Sequence, residues 1–141
     1  MLNPWYITGF CDGEAAFTYS RAGGTFNLYF SIKQREDRRQ IVEEIQAYFG
    51  YIGKIYFHPA AVRSAGVHYR VTKTRELKRI IEHFDKYPLH SQKLGIYQVW
   101  RQMALYKAEH YRGIEYDRLR LLAEKLSALN LQSRVFKVHK R

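Results

Sequence analysis

The spacing of apolar residues changes several times along the chain, and each change marks an element. From Phe26 to Ile32 every second residue is large and apolar, and Thr25, Asn27, Tyr29, Ser31 and Lys33 fall between and around them. A period of two predicts a strand with one face toward a core and one face of hydrogen-bonding and basic groups. The run Ala15 to Ser20, joined through Arg21-Ala22-Gly23-Gly24, completes a β-hairpin whose outward positions are Ala16, Thr18 and Ser20. The period then lengthens. Ile41, Val42, Ile45, Tyr48 and Phe49 form a helical stripe that Asp37 with Gln40 can open as a capping box and Gly50 can close.

The pattern then repeats. Gly53 to His58 and Val67 to Lys73 read as a second hairpin, with Ile55, Phe57, Tyr69 and Val71 on its apolar face. Lys54, Tyr56, His58, His68, Arg70 and Thr72 stand opposite. Its connection, Pro59 to Gly66, is long for a hairpin and carries Arg63, so it is expected to reach outward. Thr74 can cap a helix striped by Leu77, Ile80, Ile81 and Phe84. Helical patterning resumes from Pro88 to Arg112, about five turns or more, and from Tyr116 to Leu131, where Leu119, Leu122, Leu126 and Leu129 follow three-four spacing. A basic tail, Ser133 to Arg141, ends the chain. The predicted fold is α+β: helix-strand-strand-helix-strand-strand-helix, its antiparallel sheet covered on one face and polar on the other, plus C-terminal helices.

With 141 residues, 46% hydrophobic and 26% charged, the expectation is a single domain over 1–141, its core about 3–110 and its C-terminal helix and tail 114–141. Lys and Arg total 24 against 13 Asp and Glu, a formal charge of +11 that favours nucleic acid, although basic membrane-surface proteins share it. No apolar run approaches a membrane span and no leader pattern precedes the first helix, which fits synthesis inside a prokaryote or an organelle. The one cysteine, Cys11, excludes an intramolecular disulfide and a cysteine-rich zinc site. None of the six histidines has ligand-pair spacing supported by other ligands.

Chemistry concentrates near the start. Asn3 can cap a helix that begins at Pro4 and that Gly13 can end in a left-handed turn. Gly9 and Gly13 stand four apart with Thr8, Cys11 and Asp12 nearby, so one side is nearly bare of large side chains and a twin helix could lie close. Trp5, Thr8, Gly9, Asp12 and Gly13 are the expected contact residues of a homodimer. Asp12 and Glu14 sit at the bottom of the helix. Two such acidic ends brought together by two-fold symmetry make a metal site that one does not. The alternative is that both acids only terminate a helix.

The segment Ile7-Thr8-Gly9-Phe10-Cys11-Asp12-Gly13-Glu14-Ala15 resembles the signature of the LAGLIDADG homing endonucleases, with Thr8 for the usual alanine, Glu14 for aspartate and Ala15 for the closing glycine. The resemblance implies that Glu14 binds a catalytic Mg²⁺ (or Mn²⁺). FSIKQREDRRQIV, from Phe30 to Val42, is similar to the family segment that places a glutamine and an arginine near the scissile phosphate, here Gln34 and Arg38. PLHSQK, from Pro88 to Lys93, resembles the segment carrying the family's active-site lysine, here Lys93. The implied function is that of an intron-encoded, homodimeric enzyme cutting double-stranded DNA at a long, roughly palindromic site, bound by the polar sheet face. The alternative from another class is a non-cutting RNA maturase, acting on its own intron RNA, or a DNA-binding protein on the same fold.

Overall fold

A computed structural model describes residues 2–59 and 65–139, the last six by backbone alone. Helix α1 runs from Pro4 to Glu14, strand β1 from Ala15 to Ala22 and strand β2 from Thr25 to Arg35. A 3-10 turn at Glu36–Arg38 leads into helix α2, Arg39–Tyr48. Strands β3, Lys54–His58, and β4, Gly66–Val71, precede helices α3, Thr74–Lys86, α4, Lys93–Glu109, and α5, Tyr116–His139. The four strands form one antiparallel sheet in the order β1-β2-β4-β3. Among the described residues no helix is long and apolar enough to cross a membrane.

Alternation decides which face is buried. Phe26, Leu28, Phe30 and Ile32 of β2 are at most 3% exposed, and Phe17, Val67, Tyr69 and Val71 join them beneath the helices. Trp100 of α4 lies fully buried and donates its indole N–H to the carbonyls of Thr18 (3.1 Å) and Tyr29 (3.2 Å), seating α4 across the first hairpin. α5 shields the β1 edge: Leu119, Ala123 and Leu126 are buried, Asn130 donates to the Phe17 carbonyl, and Ser127 meets the Tyr19 hydroxyl. The apolar face gives out at the other edge, where Phe57 is 51% exposed, contrary to its expected burial.

Several boundaries differ from the sequence reading for identifiable reasons. α1 passes through Gly13 without a left-handed turn and hands over at Ala15, whose extended backbone (φ −86°) needs no glycine. The first hairpin closes on Gly23 and Gly24, both at positive φ, so β1 extends to Ala22. Asp37 opens no helix, because its carboxylate is held by Arg35. Lys73, not Thr74, occupies the N-cap of α3, and no side chain caps it. Residues 88–92 are irregular, and α4 starts only at Lys93. The basic tail continues α5 as far as His139. Arg63 lies outside the described residues. At the start of β3, Gly53 has φ +72°, and a Cβ there would come within 2.6 Å of the Arg70 carbonyl oxygen, so only glycine lets β3 lie this close to β4.

One buried polar chain ties three helices together. The Thr8 hydroxyl donates to the Tyr87 carbonyl (2.7 Å), so it accepts from Nε2–H of His83 (3.0 Å). Nδ1 of His83 is then left to accept from the Tyr48 hydroxyl (2.8 Å). The ring is neutral in this arrangement, and burial, aided by the charge of Arg79, lowers its pKa from 6.5 to about 4. The unfolded chain therefore takes up a proton near pH 6.5 while the folded one does not, so stability is full above that pH and falls as pH drops toward 4. The loss is on the order of 3 kcal/mol at the lower end. Urea-unfolding midpoints between pH 7 and 5 should show this decline. His83→Gln should flatten part of it, the half-buried His68 contributing over the same range, and a slope unchanged in His83→Gln would contradict the buried neutral ring.

Candidate active site and nucleic-acid interface

Three of the four sequence-predicted catalytic residues, Glu14, Gln34 and Lys93, meet at the end of α1. Antiparallel pairing of Ala15 with Ile32 brings the end of β2 beside Glu14. Gln34 then donates from Nε2 to Glu14 Oε2 (3.2 Å) and to its neighbour Lys33's carbonyl (2.9 Å). From the other side Lys93, 8% exposed, donates its ammonium to the carbonyl of Ala15, the residue that follows Glu14. A buried ammonium held by a carbonyl one residue from an exposed carboxylate concentrates positive charge where a phosphate could be met. Arg38 is exposed on the 3-10 turn and is not hydrogen-bonded into this group.

The helix itself divides into stripes. Ile7 and Cys11 are fully buried, and burial pushes the Cys11 thiol far up, so this cysteine packs and does not react. Trp5 is 57% exposed, and Gly9 and Gly13 lie exposed on the same side at four-residue spacing; a Cβ added at either glycine would meet nothing within 4 Å. Tyr6, also exposed, stacks on Phe10 beside them. Two expected contact residues are turned elsewhere. Thr8 is buried against His83 and Tyr87, and the Asp12 carboxylate accepts from the backbone N–H groups of His90 and Ser91 and from the Ser91 hydroxyl. Ser91 was not singled out from the sequence. Lying one residue ahead of Gln92, the N-cap of α4, it carries no local signal that would have marked it.

The uncovered sheet face carries the residues expected there. Ala16, Ser31, Arg70 and Lys54 form one cross-strand row, Lys33, His68 and Tyr56 another, Thr18 pairs with Tyr29, and Ser20 with Asn27. His58 lies in the next row, Thr25 closes the first hairpin, and Thr72 follows the end of β4. No Asp or Glu stands among these positions. Ser31 is the covered member, 4% exposed between Ala16 and Arg70. The Arg70 guanidinium lies 3.7 Å from the centre of the Tyr29 ring, a cation–π stack that fixes its plane. His68 stacks against His58, and burial together with the charges of Lys33 and Arg70 lowers its pKa from 6.5 to about 4. Nε2 of His68 and Nε of Arg70 are buried with no hydrogen-bond partner, and both belong to this face. An acid-free surface with fixed cations and unsatisfied nitrogens is suited to a polyanion with hydrogen-bonding edges.

Comparison with known proteins agrees with this geometry. Residues 7–104 match a family model described as LAGLIDADG endonuclease. The chain is 32% identical over 137 residues to "Probable intron-encoded endonuclease 2" of Neurospora crassa, covering 92% of this chain and 29% of that protein. It is 36% identical over 110 residues to "Uncharacterized 50.9 kDa protein in ND4 intron 1" of Podospora anserina, covering 72% of this chain and 23% of that one. The LAGLIDADG meganuclease I-AabMI, solved bound to uncleaved DNA, is 31% identical with a TM-score of 0.73, over 86% of this chain and 44% of its own. I-SmaMI, solved on an uncleaved DNA target in the presence of calcium ions, shares the fold at a TM-score of 0.78 and 24% identity, over 89% and 45%. The chain thus spans less than a third of these curated relatives and somewhat under half of the solved structures. The family match takes in the end of α1, the whole sheet and the α4 segment with Lys93, and the chain belongs to the LAGLIDADG endonuclease family.

Proposed function

We propose that this chain forms half of a site-specific double-strand DNA endonuclease of the homing type, two copies joining through the exposed face of α1. The observation that carries the reading is the exposed Glu14 carboxylate, held by Gln34, with the Lys93 ammonium on the carbonyl of the following residue, at the end of a helix bare at Gly9 and Gly13. The names of the relatives, intron-encoded endonucleases and meganucleases on DNA, support the same class of substrate.

Among the described residues no three His, Cys, Asp or Glu side chains gather into a metal site. One chain offers one carboxylate at the α1 end, and Mg²⁺ is commonly held by one or two carboxylates together with phosphate oxygens. Two Glu14 residues and the bound phosphates would therefore suit Mg²⁺ or Mn²⁺, which would supply charge neutralisation and a more acidic water at the phosphate. The remaining work falls to the chain. Gln34 fixes the Glu14 rotamer, and Lys93 places positive charge at the turn where the phosphate would lie. Arg38, exposed at the N-terminal end of α2, is free to reach the backbone of the duplex. The sheet face enters the major groove, where a paired β-ribbon fits and base edges are distinguishable.

Two outcomes test this. Glu14→Gln should reduce cleavage at least about 100-fold while DNA affinity in gel-shift titration stays close to that of the wild type; an unchanged cutting rate contradicts the assignment. Arg70→Ala should cost about 1–3 kcal/mol of binding and relax preference at a confined position of the site. Tyr29→Leu, which removes the ring beneath Arg70, should do the same more weakly. Equal weakening on all sequences in a competition assay would instead make Arg70 a phosphate contact.

A further inference from the structure

We propose that Asp12 and Ser91 are positioning residues for Lys93: together they clamp the start of α4 to the end of α1 and so hold the lysine at the turn that carries Glu14. Asp12 Oδ1 accepts from the Ser91 hydroxyl (2.8 Å), the Ser91 N–H (3.1 Å) and the His90 N–H (3.2 Å), and Oδ2 also faces the Ser91 N–H (3.2 Å). Ser91 Oγ in turn accepts from the backbone N–H of Lys93 (3.2 Å), and its carbonyl accepts from Leu94. Gln92, at the N-cap of α4, gives no side-chain cap, so the Ser91 hydroxyl does that work. The lysine is thereby held at both ends. Its backbone hangs on Asp12 through Ser91, and its ammonium hangs on the Ala15 carbonyl.

The clamp belongs to a stripe. Thr8 and Asp12 of α1, followed by Ala15 just past its end, hold, in order, the Tyr87 carbonyl, the His90-Ser91 backbone and Lys93. Leu89, 3% exposed, anchors the same segment in the core between the first two contacts. This stripe separates the two acids by role. The Asp12 carboxylate is occupied by donors from the 90–91 turn, whereas Glu14 is exposed and takes its hydrogen bond from Gln34. A lysine side chain has four rotatable bonds, and a misplacement of about 1 Å at a reacting centre costs on the order of 100-fold in rate.

The proposal rests on the reading of Lys93 as an active-site lysine, and the experiment separates the two. Asp12→Ala, Asp12→Asn, Ser91→Ala and Lys93→Ala would be made in the full chain and compared with wild type. Readouts are the single-turnover cleavage rate, the DNA dissociation constant, the melting temperature and the rate of Lys93 acetylation by acetic anhydride, followed by mass spectrometry without DNA. The clamp predicts that Ser91→Ala and Asp12→Ala speed acetylation of Lys93 at least about tenfold and slow cleavage by about 10- to 100-fold, with DNA affinity unchanged. Asp12→Asn, whose amide oxygen can still accept, should recover part of both. Should Asp12→Ala fail to fold, Ser91→Ala, which removes one hydroxyl, decides. If Lys93→Ala cuts like wild type, the reading of Lys93 fails, while acetylation still decides the clamp. If Lys93→Ala is inactive but Ser91→Ala and Asp12→Ala match wild type in both cleavage and acetylation, the clamp is overturned.

Discussion

An eleven-residue helix cannot hide all of its faces inside one small chain, and the architecture follows from how α1 shares them out. Ile7 and Cys11 belong to the core. Thr8 and Asp12 grip the segment leading into α4, and Ala15, just past the helix, holds Lys93 at its start. Trp5, Gly9 and Gly13 are left to solvent with the backbone bare. The helix then ends on an acid and turns at once into the first strand, so the direction of β1 and the position of Glu14 are set together. A longer connection would decouple them.

The rest of the molecule reads as support for that junction. β2 returns beside it with Gln34, α4 begins beside it with Lys93, and Trp100 farther along α4 pins the same helix across the hairpin. The sheet projects away from the junction with its acid-free face uncovered, so a polyanion lying along the strands would reach the carboxylate at one end. Rigidity on this face comes from stacking. Arg70 rests on Tyr29, and His68 on His58, which lowers the reorganisation needed when a ligand arrives.

Periodicity was enough to read the strands and helices, because β2 alternates without a break and the helical stripes of α2, α3 and α5 are regular. The acidic end of α1 singled out Asp12 and Glu14, but the choice of Glu14 between them, like Gln34 and Lys93, came from the family resemblance; neither spacing nor chemistry places residues 14 and 34 together without the pairing of β1 with β2. What escaped was mostly a matter of competing partners. Asp37 looked like a cap but is taken by Arg35, and Asp12 looked like an interface acid but is taken by Ser91. Thr8 looked like a small interface residue, yet its hydroxyl has two partners inside the chain, one of them a histidine 75 residues away. Gly13 was read as a helix stop, but the helix runs one residue further, to Glu14, and Ala15 is already extended. Long-range hydrogen bonds of this kind leave no trace in local patterning.

Half of a two-fold, metal-dependent cutting centre is the role proposed for this chain. The most direct measurement is digestion of a randomised, palindrome-enriched duplex library by the purified protein with and without Mg²⁺, followed by sequencing of the ends. Double-strand breaks that require the metal and fall symmetrically within one long site are expected. Tight binding with no cleavage in Mg²⁺ or Mn²⁺, on duplexes confirmed to be bound, would contradict that role.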